Sequence, residues 1–267
     1  MTNLHTPTFR KPAVDGLFYS SDAPQLSSDV KQYMADAHPQ KLSPKALIVP
    51  HAGYIYSGAI AATAYATLIA RREVIRRVIL LGPAHRVAVR GLALPGADYF
   101  NTPLGSVMVD KQAIQSIVNY PQITISPEAH ALEHALEVQL PFLQYVLVDF
   151  RVLPLVVGAA SAQEVAEVLD TVWGGDETLI VISSDLSHYL PYVEARQVDQ
   201  ATVQSILQLE QSITHDQACG GMPINGLILA AQRHHLKPVL LDLRNSGDTA
   251  GRRDQVVGYA AIAFCEQ

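Results

Sequence analysis

The sequence predicts an α/β protein, a three-layer α/β/α sandwich built around a mostly parallel mixed sheet. Short apolar runs of strand length alternate with helix-like segments along the 267 residues, a pattern typical of strands covered by helices on both faces. Hydrophobic residues make up 49% of the chain and charged residues only 16%, which supplies ample material for such a core. We see no linker of biased composition and no internal repeat, so we expect a single domain over residues 1–267.

The composition also limits the classes of function. No apolar run approaches the roughly 20 residues that cross a bilayer, and the start of the chain lacks the apolar stretch of a signal peptide. The two cysteines, Cys219 and Cys265, are too few for a disulfide framework and fit a reducing cytoplasm. A net charge of −6 with scattered basic residues argues against a nucleic-acid footprint. We therefore expect a cytoplasmic protein that binds neither membranes nor nucleic acids.

Apolar runs predict the strands of the sheet. Pro154, inside one of the longer runs, favours an irregular or edge position for its strand, because proline cannot donate to a ladder. Two shorter extended pieces joined across residues 101–105 predict an antiparallel hairpin or excursion. The predicted strands cover residues 46–49, 77–81, 91–94, 106–110, 151–157, 178–182, 238–243 and 256–264.

Helical spacing of apolar residues predicts the segments between the strands. Ser57 and Asp110 are placed to cap the first two of these helices, and Pro141 is expected to kink or restart the third. The predicted helices cover residues 57–70, 111–118, 133–146, 162–172, 197–209 and 224–234.

Three of the apolar runs are followed at once by a turn that contains a histidine, namely His51, His85 and His188. In a parallel sheet the carboxyl ends of the strands share one edge, and ligands bind in the crevice there. Imidazole is a common ligand for iron, copper and zinc and the usual general base near neutral pH. A single loop histidine is more often an ordinary polar residue, but the joint placement predicts one metal-binding or catalytic pocket.

Other polar residues near these turns are candidates for the same pocket. Cys219 precedes an apolar helix, where a thiol can become a thiolate ligand or nucleophile; a small buried filler explains it equally well. Asp185, in the third histidine turn, could orient an imidazole or a metal-bound water. Glu133 and His134 either reach the pocket or form a solvated helix face. Tyr54 ends the first histidine turn, and we expect it to line the pocket.

Familiar glycine motifs do not explain this chain. It contains neither the dinucleotide-binding pattern G-x-G-x-x-G after a strand nor a phosphate-binding P-loop. No G-x-S-x-G nucleophile elbow occurs, so Ser183 and Ser184 are weak evidence for a hydrolase. Among the remaining histidines, His130 is expected at the surface.

An ordered set of motifs, from about residue 10 to the C-terminus, resembles the Memo family. Each motif alone would be a weak signal, whereas the set in this order is highly specific. The motifs are Arg10-Lys-Pro-Ala-Val-Asp-Gly-Leu-Phe-Tyr19, Pro50-His-Ala-Gly-Tyr-Ile-Tyr-Ser-Gly58, Gly82-Pro-Ala-His85, Thr102-Pro-Leu-Gly105, Glu133-His-Ala-Leu-Glu-Val-Gln-Leu-Pro141 and Ser183-Ser-Asp-Leu-Ser-His188.

The resemblance implies a fold similar to that of the class III extradiol dioxygenases, whose non-haem iron is held by two histidines and a carboxylate. In Memo-like proteins the matching pocket has two histidines and a cysteine, which here fall on His51, His85 and Cys219. His188 matches the acid/base histidine of the dioxygenases, with Asp185 beside it. A thiolate in place of a carboxylate shifts the preference toward Cu(I) or a redox-tuned iron. The resemblance thus implies one iron or copper ion as cofactor.

Two main functions follow from these expectations. The first is a metal-dependent redox or dioxygenase-like enzyme, in which His188 moves protons for an unknown small-molecule substrate. The alternative is a non-enzymatic protein that uses the pocket to handle metal or to recognise a partner, and the resemblance suggests a protein partner in an accessory pathway. A third, weaker hypothesis is a hydrolase with Cys219 as nucleophile and His188 as base.

Overall fold

A computed structural model, which describes residues 6–266, shows an α/β fold with a 12-stranded mixed sheet in that range. Within it, no helix is both long and apolar enough to cross a membrane. The strands are β1 (Phe9–Arg10), β2 (Pro44–Val49), β3 (Arg77–Pro83), β4 (Leu92–Leu94), β5 (Tyr99–Thr102), β6 (Gly105–Val109), β7 (Ile123–Ile125), β8 (Arg151–Val157), β9 (Thr178–Ser183), β10 (His188–Leu190), β11 (Lys237–Asn245) and β12 (Val256–Cys265).

Helices flank this sheet. Three short 3₁₀ segments at Ala66–Arg71, Glu137–Gln139 and Ser246–Asp248 supplement them. The helices are α1 (Ala23–Asp36), α2 (Tyr54–Tyr65), α3 (Lys111–Ile117), α4 (Pro127–Ala131), α5 (Leu140–Val146), α6 (Ala162–Val172), α7 (Tyr192–Leu207) and α8 (Gly221–Arg233).

The sheet is parallel in its centre and mixed toward its sides. Its main path runs β1-β5-β6-β8-β3-β9-β2-β12-β10, while β11 pairs with β12, and β4 pairs with β7 and β8. The five strands from β6 to β2 along this path are parallel to one another. In contrast, β12 runs antiparallel to β2, β10 and β11. The expected mixed sheet is therefore present, with its parallel part at the centre.

The three strands that precede the histidine turns are neighbours and end at nearly the same level. Strand β9 lies between β2 and β3. Val49 of β2 stands opposite Ser183 of β9, and Leu81 of β3 stands opposite Ile182. The turns that follow these strands therefore open onto one edge of the sheet, as the sequence predicted.

Both faces of the central strands are buried, because side chains alternate between the two faces along each strand. On one face, Leu47 of β2 belongs to a core cluster with Leu26 of α1 and residues of α2 and α5. On the other face, Ile48 belongs to a second cluster with Leu169 of α6 and residues of α3 and α8. Each such fully buried aliphatic side chain contributes roughly 1.5–3 kcal/mol. Helices thus cover the sheet on both sides.

The Pro154 strand was predicted to be irregular or at an edge, and the edge position is wrong, because β8 lies inside the sheet between β3 and strands β6 and β4. Pairing with β6 ends at Val152, whose carbonyl accepts from the Asp110 N–H (2.8 Å). Pairing with β4 begins only at Val156. Peptide groups alternate in direction along a strand, so Pro154 faces the gap between these two partners. The missing N–H therefore interrupts no ladder.

Two other expectations need correction. The antiparallel hairpin exists, but it joins β5 to β6, whereas the extended piece at 91–94 forms β4 and pairs with β7 and β8. The helix predicted over 133–146 is split into a turn, a 3₁₀ segment and α5. Pro141 lies in the first turn of α5, where a proline costs no hydrogen bond. Glu133 and His134 are consequently in a turn, free of helical spacing.

Helix α2 begins at Tyr54, three residues before the predicted cap, and Gly53 is its N-cap residue. The Ser57 hydroxyl donates instead to the Ala52 carbonyl (2.9 Å). The prediction is confirmed for α3, where the Asp110 carboxylate accepts from the Ala113 N–H.

A capping box starts α6, since the Ser161 hydroxyl accepts from the Glu164 N–H and the Glu164 carboxylate accepts from the Ser161 N–H. We expect Ser161→Ala to lower the free energy of unfolding by about 1 kcal/mol, because it leaves the Glu164 N–H without its capping partner. Urea denaturation measures the change. The exposed Ser27 of α1 provides the control, and an equal loss in Ser27→Ala would contradict the capping role.

Candidate metal centre

Three imidazoles meet at the carboxyl edge of the central strands. One ligand atom from each of His51, His85 and His134 lies within 4.8 Å of the other two. The His51 ring is edge-on to His85 (centroids 5.2 Å apart) and to His134 (5.3 Å), and His85 stacks on His134 at 4.6 Å. Among residues 6–266, these three histidines form the one group of histidine, cysteine or acidic side chains whose ligand atoms are close enough to share an ion.

The hydrogen bonds of His51 fix which of its nitrogens carries the proton. The Ser183 hydroxyl donates its only proton to the Ala135 carbonyl (2.6 Å) and accepts from the Gln139 side-chain amide (2.8 Å). At 3.0 Å from His51 Nδ1, its oxygen can therefore only accept, so we assign the ring proton to Nδ1. The Nε2 lone pair remains available to a metal ion.

Glu133 plays the same role for His85. Its carboxylate accepts from the His85 ring at Nδ1 (2.8 Å) and from the His85 backbone N–H (2.7 Å). Burial alone would raise the pKa of Glu133, but hydrogen bonds from His85 and Ala135 lower it to about 2. A carboxylate behind a histidine orients the ring and raises its basicity as a metal ligand. His85 therefore also presents Nε2 to the cluster.

His134 completes the cluster from the turn that follows α4. Its Nδ1 is buried and makes no hydrogen bond among the described residues, although Glu133 Oε1 lies 3.4 Å away. Burial, together with the charges of His51 and other neighbours, lowers the pKa of His134 to about 4. The ring is therefore neutral at physiological pH, the form that binds metal. An unpartnered buried nitrogen beside two free imidazole lone pairs fits a metal ion.

The cluster lies at one side of a cavity of about 730 Å³, whose wall includes His51, His85, His134, Asp185 and His188. Other wall residues are Leu17, Phe18, Ala52, Gly53, Tyr56, Tyr189, Ser246, Gly251, Arg252, Asp254, Gln255, Val257 and Tyr259. A volume of this size accommodates a small organic molecule. The structure thus brings the first two predicted metal ligands and both predicted acid/base residues to one cavity.

His188 reaches the cavity through an irregular strand. Strand β10 pairs with β12 through His188 and Leu190, with a register shift between them. Tyr189, at the shift, has φ 60°, a left-handed conformation that is costly for a residue with a Cβ. The irregularity leaves Tyr189 exposed beside the partly buried His188. Local strain at this point therefore shapes the cavity rim.

Asp185 connects two parts of the site. Its carboxylate accepts from the His51 backbone N–H (2.7 Å), and its backbone carbonyl accepts from the Cys219 N–H (3.3 Å). Burial raises the pKa of the Asp185 carboxyl, against the opposing effects of the His51 N–H and nearby histidines. A buried carboxyl of this kind favours its protonated form more than an exposed aspartate does.

Cys219 is next to the cluster but is not one of its three ligand residues. Its sulfur is 3.2 Å from His51 Nε2, and burial raises the pKa of the thiol to about 12. The adjacent Gly220 is required by close packing, because a Cβ there would lie 2.6 Å from the Ser184 Cβ. The loop before α8 is therefore pressed against the end of β9, which holds the thiol beside His51.

Tyr54 does not reach the cavity. It is buried, and its hydroxyl donates to the Val138 carbonyl (2.7 Å), while Tyr56, two residues later, lines the wall. The expected surface position of His130 is wrong as well, since it is only 1% exposed and its Nε2 lies 2.8 Å from the Ala93 carbonyl.

Sequence reasoning missed a buried ion pair that holds the turn carrying Glu133 and His134. The Arg10 guanidinium pairs with Glu137 and also donates to the carbonyls of His130 and Glu133. Glu137 accepts further hydrogen bonds from the N–H groups of Ala13 and Val14 and from the Tyr19 hydroxyl. Arg10 and Glu137 both belong to motifs that resemble the Memo family, which is the signal that could have pointed to them. The sequence alone does not show that they form a pair.

Fold and site together define an α/β protein with a candidate mononuclear metal centre at the carboxyl edge of its sheet. The chain matches the family described as "Memo-like protein" over residues 10–263. It belongs to that family.

Relatives named MEMO1 family protein support this assignment over nearly their full length. One from Aquifex aeolicus is 37% identical, with 96% of this chain and 98% of the relative aligned. Others from Metallosphaera sedula and Archaeoglobus fulgidus are each 35% identical, with 96% of this chain and 99% of the relative aligned. The resemblance inferred from the motifs is therefore confirmed.

The buried histidines make acid stability a test of this geometry. Burial, aided by the charge of His85, lowers the pKa of His51 from 6.5 to about 3. Below pH 6.5, His51 binds a proton in the unfolded chain but stays neutral in the folded one. The free energy of unfolding therefore falls as the pH decreases toward 3. By pH 5 this one residue should cost roughly 2 kcal/mol in the metal-free protein.

Urea denaturation between pH 7 and pH 5 measures how the free energy of unfolding depends on pH. Below the pKa of the unfolded chain, His51 should contribute a slope that corresponds to roughly one proton. We expect the slope to decrease in His51→Gln and to stay unchanged in His38→Gln, whose side chain is exposed. An unchanged slope in His51→Gln would show that the ring is protonated as easily in the folded chain as in the unfolded one.

Proposed function

We propose that this Memo-like protein is a metal-dependent oxidoreductase with one iron or copper ion at the histidine cluster. The observation that carries the proposal is the meeting of three imidazole ligands at the wall of a substrate-sized cavity. The motif resemblance also implies a fold similar to that of the class III extradiol dioxygenases, and this analogy supports an oxidoreductase. The two cysteines are free thiols, in keeping with a cytoplasmic location.

The ligand set contains His51 and His85 and a third residue. His134 takes the third position in the arrangement described here, because its ligand atom is already within 4.8 Å of the other two. Cys219 is the competing third ligand, with its sulfur against His51, but its thiol must first lose a proton. When bound, the ion would supply Lewis acidity and redox chemistry at its open positions.

The residues around the cluster keep both common ligands in metal-binding form. Ser183 holds the proton of His51 on Nδ1, and Glu133 does the same for His85. The two Nε2 atoms therefore need no deprotonation before an ion binds. Glu133 is ionised, so its charge also partly neutralises a bound cation.

Proton transfer is assigned to His188 and Asp185, on the cavity wall. An imidazole can accept a proton from a substrate hydroxyl or thiol and return it to a product. Asp185, whose pKa burial raises, can hold a proton close to the cluster. A small molecule with an acidic O–H or S–H group, such as a phenol or a thiol, is therefore the substrate class that suits this wall.

Metal content tests the ligand set. We expect one iron or copper ion per chain, lost in His51→Ala and in His85→Ala, because each removes a common ligand. His134→Ala should weaken binding more than Cys219→Ala does, because in this arrangement the His134 imidazole is the third ligand. Elemental analysis after anaerobic purification measures the stoichiometry.

A larger loss in Cys219→Ala than in His134→Ala would make the thiolate the third ligand. Full metal content in the double variant His51→Ala/Cys219→Ala would overturn the proposed site. The control is His38→Ala, because this histidine is exposed and is not a member of the cluster.

Turnover separates an enzyme from a binding protein. Oxygen consumption by the metal-loaded protein, measured with a panel of phenols and thiols, should fall about 10²–10⁴-fold in His188→Ala while metal content is unchanged. His38→Ala should retain both. Metal binding without turnover across the panel would favour the alternative function, a protein that handles metal or binds a partner through this pocket.

A further inference from the structure

Asp199 of α7 is a buried carboxylate behind the turn that carries Asp185 and His188. It is only 2% exposed, and its Oδ1 accepts from the Ser187 backbone N–H (3.0 Å). Ser187 is itself completely buried and directly precedes His188. Asp199 does not belong to the wall of the large cavity. It therefore contacts the backbone that leads to His188 from a side that the cavity does not reach.

Strand β12 holds the same turn from another direction. The Leu186 N–H donates to the Gly258 carbonyl (2.8 Å), and the Gly258 N–H donates to the Ser187 carbonyl (2.9 Å). A Cβ on Gly258 would lie 2.0 Å from Asp199 Oδ2, so only glycine lets β12 pass this close to the carboxylate. Glycine also brings no charge to the contact. The turn is thus fixed between β12 and α7 one residue before His188.

The charge of Asp199 is not explained by stability. Burial raises the pKa of Asp199 from 3.8 to about 6, against the lowering effect of the hydrogen bonds from Ser187. Between these two values the folded chain keeps a proton that the unfolded chain releases, so the free energy of unfolding falls as the pH rises through this range. A neutral asparagine of the same shape would avoid this cost. A titratable group kept at such a cost is typical of a functional role.

The other charged side chains around Asp199 have contacts of their own. A small cavity of about 60 Å³ borders the carboxylate, and its wall includes Arg196, Arg244 and Asp248. Arg196 lies over the Tyr192 ring, Asp248 accepts from the Tyr192 hydroxyl (2.5 Å), and Arg244 pairs with a carboxylate on its own strand. A cavity of this size admits water. Asp199 can therefore exchange protons with solvent although its side chain is buried.

We infer that Asp199 is the positioning residue of His188, because its carboxylate fixes the backbone at Ser187 and with it the direction in which the imidazole enters the cavity. This inference rests on the proposed function for the role of His188 in proton transfer. An ionised acceptor holds an N–H more strongly than a neutral one does. Loss of the charge, by protonation or by substitution, therefore loosens the turn and displaces His188.

NMR of the full-length, metal-free protein between pH 7 and pH 5 tests whether Asp199 acts on the turn. We expect the Ser187 amide resonance to titrate with a midpoint near pH 6 and to lose this titration in Asp199→Asn. His188 and Asp185 are titratable neighbours on the turn, so the titration is repeated in His188→Gln, where it should persist. The exposed Asp36 of α1 supplies the matched control, Asp36→Asn, which should leave the titration unchanged.

Hydrogen exchange measures how firmly the turn is held. At pH 7, Asp199→Asn should speed exchange of the Ser187 and Gly258 amides about tenfold, because a charged acceptor becomes a neutral one. The His188 ring resonances should move, and those of the exposed His38 should not. The free energy of unfolding should be equal to that of the wild type or higher, whereas a purely structural role for Asp199 requires it to fall.

Three results would overturn the positioning role. The first is a wild-type Ser187 resonance without the titration, which needs no variant to measure. The second is an unmoved His188 ring in Asp199→Asn. The third is a lower free energy of unfolding in Asp199→Asn with unchanged exchange in the turn.

Turnover separates this inference from the proposed function. In the oxygen-consumption assay of the metal-loaded protein, Asp199→Asn should lower kcat about tenfold, because a displaced imidazole is poorly aligned, while KM and metal content stay unchanged. Turnover that is lost in His188→Ala but unchanged in Asp199→Asn would defeat the positioning role alone. Absence of turnover in the wild type, with the Ser187 titration and the His188 shift both present, would defeat the proposed function alone.

Discussion

The parallel pairing of β2, β9 and β3 is the constraint on which the rest of the site depends. These strands are buried on both faces and end at nearly the same level. The turns that follow them must therefore lie at the same edge of the sheet. His51, Asp185 and His85 come together for that reason, although they are far apart in the sequence. The backbone hydrogen bonds between the strands bring these imidazoles together before any ion binds. Contacts between the imidazoles are not needed for this.

Buried polar groups then refine the position that the sheet provides. Gln139 bridges the Pro50 carbonyl and the Ser183 hydroxyl, which ties the ends of β2 and β9 to the segment after α4. The Arg10–Glu137 ion pair holds the same segment from the other side. An ion pair at this depth contributes little net stability, since desolvation offsets its attraction. Its value here is geometric, because it fixes the turn that carries Glu133 and His134.

The sequence predicted eight of the twelve described strands, α3, α6 and the shared edge because their signals are local: buried apolar runs, caps and glycine or proline stops. It did not predict the short strands β1, β5, β7 and β10. It failed where long-range contacts decide. The segment 133–146 has helical spacing, yet Arg10, more than a hundred residues earlier, holds its beginning in a turn. Pro154 predicted an irregular or edge strand, and the sequence alone could not show that its missing N–H faces the gap between β6 and β4 inside the sheet. His134 was expected either to reach the pocket or to lie on a solvated helix face, and the turn is what brings its ring beside His51 and His85.

The strand order has a consequence for how the chain is made. Strands β2 and β3 follow one another in the sequence but are separated in the sheet by β9, which begins only at Thr178. During synthesis, β2 and β3 leave the ribosome before the strand that separates them in the sheet. Their unpaired backbone N–H and C=O groups can then pair with each other. A nascent chain must delay that premature pairing until β9 emerges. Such non-local closure is slow, so translation pausing or a chaperone could influence the yield of native protein.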